Sequence, residues 1–519
     1  MENLTILRSN KDLQDWQKDN NLGINFVPTM GGLHKGHQEL IKSAKNYSEK
    51  QINTQVLLSI FVNPLQFGIN EDFTKYPRNL DHDCELAYEA GANIIWAPSL
   101  EDIFPGGKES HFTIKAPLKL HKQLCGAYRE NHFDGVATVV LRLLKLIKPK
   151  MLFLGEKDWQ QLLVLRQLIS DLDLEVKIKS IPTIREEDGL PFSSRNLYLS
   201  QQERANALLL PSLMAKASRD FKSNISIDLN QMKSYLEQNN LKVEYIETVN
   251  CKNLTKVNHR ESKLCLLAAA IQSGSTRLID HTFLMKRNPI VAIDGPAGAG
   301  KSTVTKAFAK QLGLIYLDTG AMYRAVTWFI QKENIDIGNH KDLVMALENI
   351  NLDIHLSQSG AQHVLLNNED ITHEIRSPKI TSQVSLIAAN KEIRNKLTKQ
   401  QQKLGQKGGL VAEGRDIGTA VFPDAELKVF LTASPKERAK RRAHDLKNQG
   451  FEVPNLLDLE EQIKERDKLD STRAIAPLLK AKDAQELKTD GMNVDEVIET
   501  LISMFREEIP EEVWSTKTF

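Results

Sequence analysis

The octapeptide Gly295-Pro296-Ala297-Gly298-Ala299-Gly300-Lys301-Ser302 constrains this chain more than any other feature. It fits G-x-x-x-x-G-K-[ST]. It follows the apolar run 290–293 and precedes a stretch in which Val304, Ala307, Phe308 and Leu312 share one helical face. A strand, a glycine loop and a helix in that order are the context the motif requires. Glycines let backbone N–H groups approach phosphates, and the helix N-terminus adds partial positive charge. Lys301 is placed to reach the β- and γ-phosphates of ATP, and Ser302 offers a hydroxyl to Mg2+. Gly295, Gly298, Gly300, Lys301, Ser302 and Thr303 are therefore candidate ATP contacts in an α/β domain that starts near residue 288.

That domain leaves more than half of the 519 residues unexplained. The first half reads as a second α/β start. Short apolar runs at 24–27, 56–62, 93–96, 151–154 and 176–181 are expected as strands, with helices over 37–49, 80–90 and 159–172. Gly91 is suited to end the second helix in a left-handed C′ position. Alternating strands and helices imply a parallel sheet with crossover helices. After about residue 200 the rhythm changes to helices at 201–221 and 229–239 and strands at 243–249, 263–271 and 276–284, a smaller α+β unit. The expected organisation is thus a Rossmann-like part over about 1–188, an α+β subdomain over 189–285, and a P-loop domain over 286–519. The polar junction 285–289 is too short for a flexible tether.

Composition limits the partners. Sixty-eight Lys and Arg against 67 Asp and Glu give a net charge of +1, so no broad positive field favours nucleic acid or an anionic membrane. Four scattered cysteines, without a C-x-x-C pair, fit reduced thiols in the cytoplasm. No apolar run is long enough to span a bilayer.

Arginines narrow the P-loop half. Arg324 follows Thr319 in the next strand–helix junction. Asp416 lies in Glu413-Gly414-Arg415-Asp416. Arg438, Arg441 and Arg442 sit in a charged helical stretch, and Arg466, Asp470 and Arg473 follow at close spacing. Guanidinium forks clamp moving phosphoryl groups, so a monophosphate kinase fits better than a switch GTPase, for which no N-K-x-D guanine signature is present. The phrases IVAIDGPAGAGKST, YLDTGAMYRA, AEGRDIGTAVFPDA and ERDKLDSTRAIAPLLKAKDA make residues 288 to about 505 resemble bacterial cytidylate kinase. That resemblance implies phosphorylation of CMP, and of dCMP, by ATP. It places Thr319, Arg324, Ser385, Arg394, Asp416, Arg466, Asp470 and Arg473 at the CMP site, with Lys301 and Arg466 as catalytic cations. It puts Arg438, Arg441 and Arg442 in a lid over the donor phosphates and implies a small β insertion at 351–371 turning at Asn367-Asn368.

In the first half, Met30-Gly31-Gly32-Leu33-His34-Lys35-Gly36-His37 places H-x-G-H between a strand and a helix. Imidazole N–H groups there suit attack at an α-phosphate, where charge grows on the non-bridging oxygens. Gly155-Glu156-Lys157-Asp158 follows a later strand, and Ser193-Ser194-Arg195 offers two hydroxyls and a cation to a leaving pyrophosphate. With SIFVNPLQF, DFTKYPR, HFDGVATVV and PTIREEDGLPFSSRNLYLS, these phrases make residues 1–285 resemble pantothenate synthetase, the pantoate–β-alanine ligase of the H-x-G-H nucleotidyltransferase fold.

The resemblance implies pantoyl adenylate formation from pantoate and ATP, then attack by β-alanine. ATP contacts then fall at Met30 to His37, at Gly155, Glu156, Lys157 and Asp158, and at Ile184, Phe192, Ser193, Ser194 and Arg195. His37 is the implied proton donor, with His34, Lys157 and Arg195 also catalytic. Gln66, Gln161 and Asn63 are implied to bind pantoate, with Gln66 also near β-alanine; Asp83, with Asp81, is a candidate Mg2+ anchor. A homodimer through this half is a family-level expectation. Two departures stand out. Phe192 replaces a methionine, and Arg129-Glu130-Asn131-His132-Phe133 replaces R-P-G-H-F.

A nucleotidyltransferase acting on another acceptor would lack the paired Gln66 and Gln161. A P-loop half serving only as a regulatory module would lack Lys301, Asp416 or Arg466. The reading that remains is two ATP-dependent enzymes in one chain, sharing no intermediate and therefore expected not to channel.

Overall fold

The apolar runs of the first half assemble as an all-parallel six-stranded sheet. Its strands are β1 (Thr5–Leu7), β2 (Gly23–Thr29), β3 (Thr54–Ile60), β4 (Ile94–Trp96), β5 (Met151–Gly155) and β6 (Lys177–Ile181), in the order β1-β4-β3-β2-β5-β6. Both faces of the central strands are covered, which is why the middles of β2, β3 and β5 are apolar on both sides. Phe26, Leu57, Trp96 and Leu152 pack on one face with helices His132–Ile147 and Trp159–Asp171. Val27, Leu58, Ile95 and Phe153 pack on the other with helices Lys35–Glu49 and Leu80–Ala90. From β2 the chain builds β3 and β4 to one side and β5 and β6 to the other. This reversal opens a crevice at the carboxyl ends of β2 and β5, where ligands gather in such sheets.

The computed structural model describes residues 4–515 except 50, 52, 69, 70, 357–361, 449 and 451. Its chain divides into two units, Met1–Lys286 with Pro510–Val513, and Arg287–Ile509 with Trp514–Phe519. The return of Pro510–Val513 to unit 1 has no signal in the sequence.

Unit 1 also holds β7 (Leu241–Val249), β8 (Leu264–Ser273) and β9 (Thr276–Met285), an antiparallel sheet whose core includes Leu210, Met214, Phe221, Leu236, Leu267 and Ile271. The single helix expected over 201–221 is two, Gln201–Ala207 and Leu209–Lys222. Pro211 lies in the first turn of the second, where its missing N–H costs nothing but an unbroken helix could not run through. Gly91 caps helix Leu80–Ala90 with φ 103°, as expected.

In unit 2 the central sheet is again parallel. Its strands are β10 (Ile290–Asp294), β11 (Ile315–Asp318), β15 (Leu410–Gly414), β16 (Leu427–Thr432) and β17 (Gln485–Lys488), in the order β11-β15-β10-β16-β17. β12 (Leu352–Leu356), β13 (Gln362–Leu366) and β14 (Glu369–Asp370) form the small antiparallel insertion. Asn367 and Asn368 both adopt positive φ, 50° and 69°, as a tight hairpin turn requires. Residues 357–361 of the expected insertion lie outside the described residues.

Candidate active sites

In unit 1 the loop leaving β2 is shaped from within. Gly31 and Gly32 take positive φ, 82° and 62°. The N–H groups of Gly32 and Leu33 donate to the two carboxylate oxygens of Asp83 at 3.0 and 2.8 Å. Those N–H groups are thus committed inside the protein, and Asp83, 2% exposed, holds the loop. Asp81 is exposed, Leu33 is a core residue, and the Lys35 side chain is exposed.

His34 and His37 stack with ring centroids 4.1 Å apart, and Phe192 lies 5.8 Å from His34 on a nearly parallel ring plane. Gly36 N–H donates to His34 Nδ1 at 3.1 Å, so His34 carries its proton on Nε2. Any Cβ at Gly36 would meet that ring at 2.9 Å. Burial, the neighbouring imidazole and the charge of Lys157 push His34 down to about 2. Burial and Lys157 push His37 down to about 4, and His37 Nδ1 is buried without a hydrogen-bond partner. The pair is therefore neutral at physiological pH and acts as a hydrogen-bond donor unless an anion beside it raises its basicity.

One cavity of unit 1 gathers Lys157, Asp158, Gln161, Ser193 and Arg195 with Arg129 and His132. Met30 and Gly31 line a second cavity with Ile60, Phe73 and Asp83. His34, His37 and Gln66 line neither of these two cavities. Asp158 is held below the usual carboxylate range despite its burial, because Lys157, His132 and Arg195 surround it. Arg195, expected to face pyrophosphate, forms a two-pronged ion pair with Asp72 at 2.7 and 2.9 Å. Ser193 Oγ accepts from Arg195 N–H, and the Ser194 hydroxyl donates to Tyr76 at 3.4 Å. Phe192 N–H donates to the Ile184 carbonyl at 3.0 Å, which ties the two implied adenine-side positions together.

Gln66 Nε2 donates to Met30 Sδ at 3.0 Å, and its Oε1 accepts from Asn63 Nδ2 at 3.0 Å. Asn63 is 3% exposed and also bonds Gly135 O and Leu65 N–H, and its amide holds Gln66. Helix His132–Ile147 runs so close that a Cβ on Gly135 would meet Leu65 O at 2.3 Å. Asn131 takes φ 59°, the conformation a glycine would provide, and Arg129 pairs with Glu71 at 2.5 Å while His132 Nδ1 lies 2.8 Å from Gln66 O. Sequence reasoning missed Glu71, Asp72 and Gly135. DFTKYPR carries the family resemblance, but nothing in its spacing tells that Asp72 faces Arg195.

In unit 2 the P-loop joins β10 to helix Lys301–Leu312. Gly295, Gly298 and Gly300 have φ of 154°, 75° and 81°, and a Cβ on Gly295 would meet Leu431 O at 2.0 Å. Lys301 Nζ donates to the carbonyls of Gly295 and Pro296 at 2.8 and 2.9 Å. Burial and the nearby Arg415 push it down to about 7. Ser302 Oγ donates to Glu413 Oε1 at 2.6 Å, while Thr303 is exposed. Glu413 Oε2 is buried with no hydrogen-bond partner.

Opposite stands a group of arginines unevenly paired with acids. Asp416 pairs with Arg394 and lies 3.7 Å from Arg473; Asp470 accepts from Arg415 at 3.2 Å; Arg324 pairs with Asp318 at 2.8 Å. Arg466 Nε and one Arg473 terminal nitrogen are buried without hydrogen-bond partners. Burial and mutual repulsion lower Arg466 (with Arg415, Arg442 and Arg324) and Arg473 (with Arg394). Thr319 donates to Glu413 O at 2.7 Å, and Ser385 is half-buried on helix Pro378–Ala388.

The lid expectation is corrected in part. Arg438 is 3% exposed and is bound to Asp467 and Ala297 O, so it braces the P-loop from outside. Arg441 bonds Ala299 O and Thr489, while Arg442 is exposed. Arg415, Asp318 and Glu413 do not stand out in the sequence as site residues.

These two arrangements define, first, an H-x-G-H nucleotidyltransferase-type ligase and a P-loop monophosphate kinase on one chain. The pantoate-beta-alanine ligase family matches residues 5–283 and the cytidylate kinase family residues 291–507. A "bifunctional pantoate ligase/cytidylate kinase" from a strain of Prochlorococcus marinus is 66% identical, over 99% of both chains. One of Synechococcus sp. (strain CC9311) is 53% identical over 95% of this chain and 100% of its own. The solved pantothenate synthetase from Thermus thermophilus is 34% identical with a TM-score of 0.48, covering 54% of this chain and 99% of its own. The chain belongs to the bifunctional pantoate ligase/cytidylate kinase family, and its two activities are ATP-dependent pantoate ligation and cytidylate phosphorylation.

Proposed function

We propose that unit 1 makes pantothenate through an enzyme-held pantoyl adenylate, with His34, His37, Lys157, Gln161 and Gln66 as the residues that meet the substrates. A pantoate carboxylate oxygen attacks the α-phosphorus of ATP, the α–β P–O bond breaks and pyrophosphate leaves. The β-alanine amine then attacks the acyl carbon and AMP leaves. Neutral His34 and His37 donate N–H bonds to the phosphate oxygens, and Lys157 supplies the charge. Gln66, held between Met30 and Asn63, presents an oriented amide to the pantoate hydroxyls. The Arg195–Asp72 pair keeps that arginine fixed at the cavity wall.

In unit 2 an oxygen of the CMP or dCMP phosphate attacks the γ-phosphorus of ATP and ADP leaves. The attacking oxygen is already anionic, so positioning and charge neutralisation carry the catalysis. Lys301 reaches toward the transferring group, with Arg466, Arg473 and Arg324 around it, while Asp416 fixes Arg394. The observation that carries this reading is that Arg466 and Arg473 each hold a buried guanidinium nitrogen without a hydrogen-bond partner. Mg2+ fits beside Ser302 and Glu413, where a carboxylate oxygen is buried without a hydrogen-bond partner. Bound there, it would neutralise phosphate charge. Among the described residues no group of three or more His, Cys, Asp or Glu forms a protein-only cage, so the phosphates themselves would complete its shell.

We place the enzyme in the cytoplasm, as a homodimer through unit 1 that binds no nucleic acid. The net charge of +1 and four unpaired cysteines support that setting. No helix among the described residues is long and apolar enough to cross a membrane. The test is a pair of assays on the full chain. AMP release must require both pantoate and β-alanine, and ADP release must be strongest with CMP and dCMP against UMP and AMP. AMP release without β-alanine turnover, or equal ADP release with all four acceptors, would defeat it.

A further inference from the structure

The segment Pro510–Val513 belongs to unit 1, more than 200 residues after β9. It makes specific contacts at two places in the ligase site. The Glu156 carboxylate is fully buried and takes three donors: the Ser180 hydroxyl at 2.8 Å, Glu511 N–H at 2.8 Å and Glu512 N–H at 2.9 Å. Two of the three therefore come from this segment. Glu156 occupies the same single turn as Lys157 and Asp158, Glu156–Asp158, so a shift of its carboxylate moves both. The Glu512 carboxylate accepts from Thr183 N–H at 2.8 Å and lies 3.4 Å from His281 Nε2. Thr183 precedes Ile184, and Arg185 beyond it is clamped by Asp280 at 2.9 Å. Val513 packs against the core of unit 1 and anchors the segment.

We propose that Glu511 and Glu512 are positioning residues of the ligase: their backbone N–H groups and the Glu512 carboxylate fix Glu156 and Thr183, and through them Lys157 and Ile184, in the geometry that binds ATP. This rests on the assignment of Lys157 and Ile184 to the ATP site. The physical reason is satisfaction of a buried charge. Without the segment, Glu156 keeps only Ser180 as a donor, and a carboxylate so placed either takes up a proton or turns toward water. Its burial and the nearby Glu512 charge already raise its pKa, while the N–H groups of Glu511 and Glu512 act the other way. Burial of Glu512 is outweighed by His281, which holds it down to about 2, so it stays ionised and able to anchor Thr183.

The test uses the full chain and steady-state kinetics of both activities. Glu512→Ala is expected to raise KM for ATP in pantothenate formation about ten-fold, with KM for pantoate within about two-fold. Glu512→Gln keeps an oxygen for Thr183 N–H and should recover most of that loss, to within about three-fold of the parent. CDP formation should be unchanged in both. Lys157→Ala is the control for the site assignment: if it leaves KM for ATP unaltered, that assignment fails. If Lys157→Ala raises KM for ATP while Glu512→Ala leaves it within about two-fold, the positioning role is overturned. Loss of kcat and thermal stability without a change in KM for ATP would equally overturn it, because that marks a merely structural tail. If Glu512→Ala does not fold, Glu512→Met, which keeps the side-chain length but has no oxygen for Thr183 N–H, carries the test, and an unchanged KM for ATP there counts against the proposal.

Discussion

The two ATP sites manage charge in opposite ways. In unit 1 the strong charges are already neutralised by neighbours: Arg195 by Asp72, Arg129 by Glu71, and Asp83 by two backbone N–H groups. The groups proposed to meet phosphate are neutral imidazoles and one lysine. In unit 2 the cations are unevenly paired with acids, and Lys301, Arg466 and Arg473 all have lowered pKa values from burial beside like charges. The substrates explain the contrast. The kinase must hold two phosphorylated nucleotides at once and benefits from stored repulsion that phosphate relieves. The ligase must admit a carboxylate and an amine to the same crevice, and a surplus of bare cations there would repel the amine while it is still an ammonium, before it loses the proton and attacks, and would trap pyrophosphate.

The largest test of that separation is to remove one key group from each side. Lys301→Ala should lower CDP formation on the order of 10³-fold and leave pantothenate formation intact. His37→Ala should lower pantothenate formation on the order of 10²-fold and leave CDP formation intact. Paired assays on each purified variant check this, and cross-inhibition by both variants would break the comparison. A smaller effect is expected of Gly135→Ala. Its Cβ would meet Leu65 O at 2.3 Å and push the Asn63–Gln66 turn outward. KM for pantoate should rise about ten-fold with KM for ATP little changed, since the displaced group is Gln66.

Gly135 also shows where sequence reading stops. The P-loop, H-x-G-H and the strands carrying them are legible because glycine spacing and apolar runs are local signals. Helix His132–Ile147 carries such a signal too, with Val136, Val139, Val140 and Leu143 at i, i+3, i+4 and i+7 on one face, but nothing local tells that Gly135 beside them lies against Leu65 O. The pairing of Arg195 with Asp72, 123 residues apart, leaves no local trace either. Nor does Arg438 reveal its Asp467 partner, so a buried brace reads in sequence as part of a mobile lid. Short motifs tell which chemistry is present. Which cations are free to perform it depends on long-range pairing.

Stability measurements sharpen the same contrast by a few degrees. Arg466→Gln removes a buried, repelled cation and should raise the melting temperature of the ligand-free kinase unit by about 2–4 °C, for roughly 1 kcal/mol, while lowering kcat. Arg195→Gln leaves Asp72 without its ionic partner and should lower the melting temperature of the ligase unit by a similar amount. Differential scanning calorimetry with and without CMP reads both. Equal signs for the two substitutions would show that the arginines of the two sites are not differently poised.

The finest expected effect is a proton count. Free Lys301, pushed down to about 7 by burial and Arg415, is mostly neutral at pH 8. Phosphates beside it favour the ammonium form and raise its pKa, so ATP binding to unit 2 should take up close to one proton at pH 8 and almost none at pH 6, where the lysine is already charged. His34 and His37 start from about 2 and about 4. To take up a proton at pH 8, His37 would have to rise by about four units, which one neighbouring phosphate chain beside Lys157 does not supply. ATP binding to unit 1 should therefore take up almost no proton at pH 8, and affinity for ATP should fall with rising pH above 7 in unit 2 alone. Calorimetric titration in two buffers of different ionisation enthalpy measures the count, with Lys157→Ala silencing unit 1 in one sample and Lys301→Ala silencing unit 2 in the other. Equal uptake at both sites would mean that the imidazole pair is charged in the complex, and the donor role assigned to His37 would then be that of a true acid.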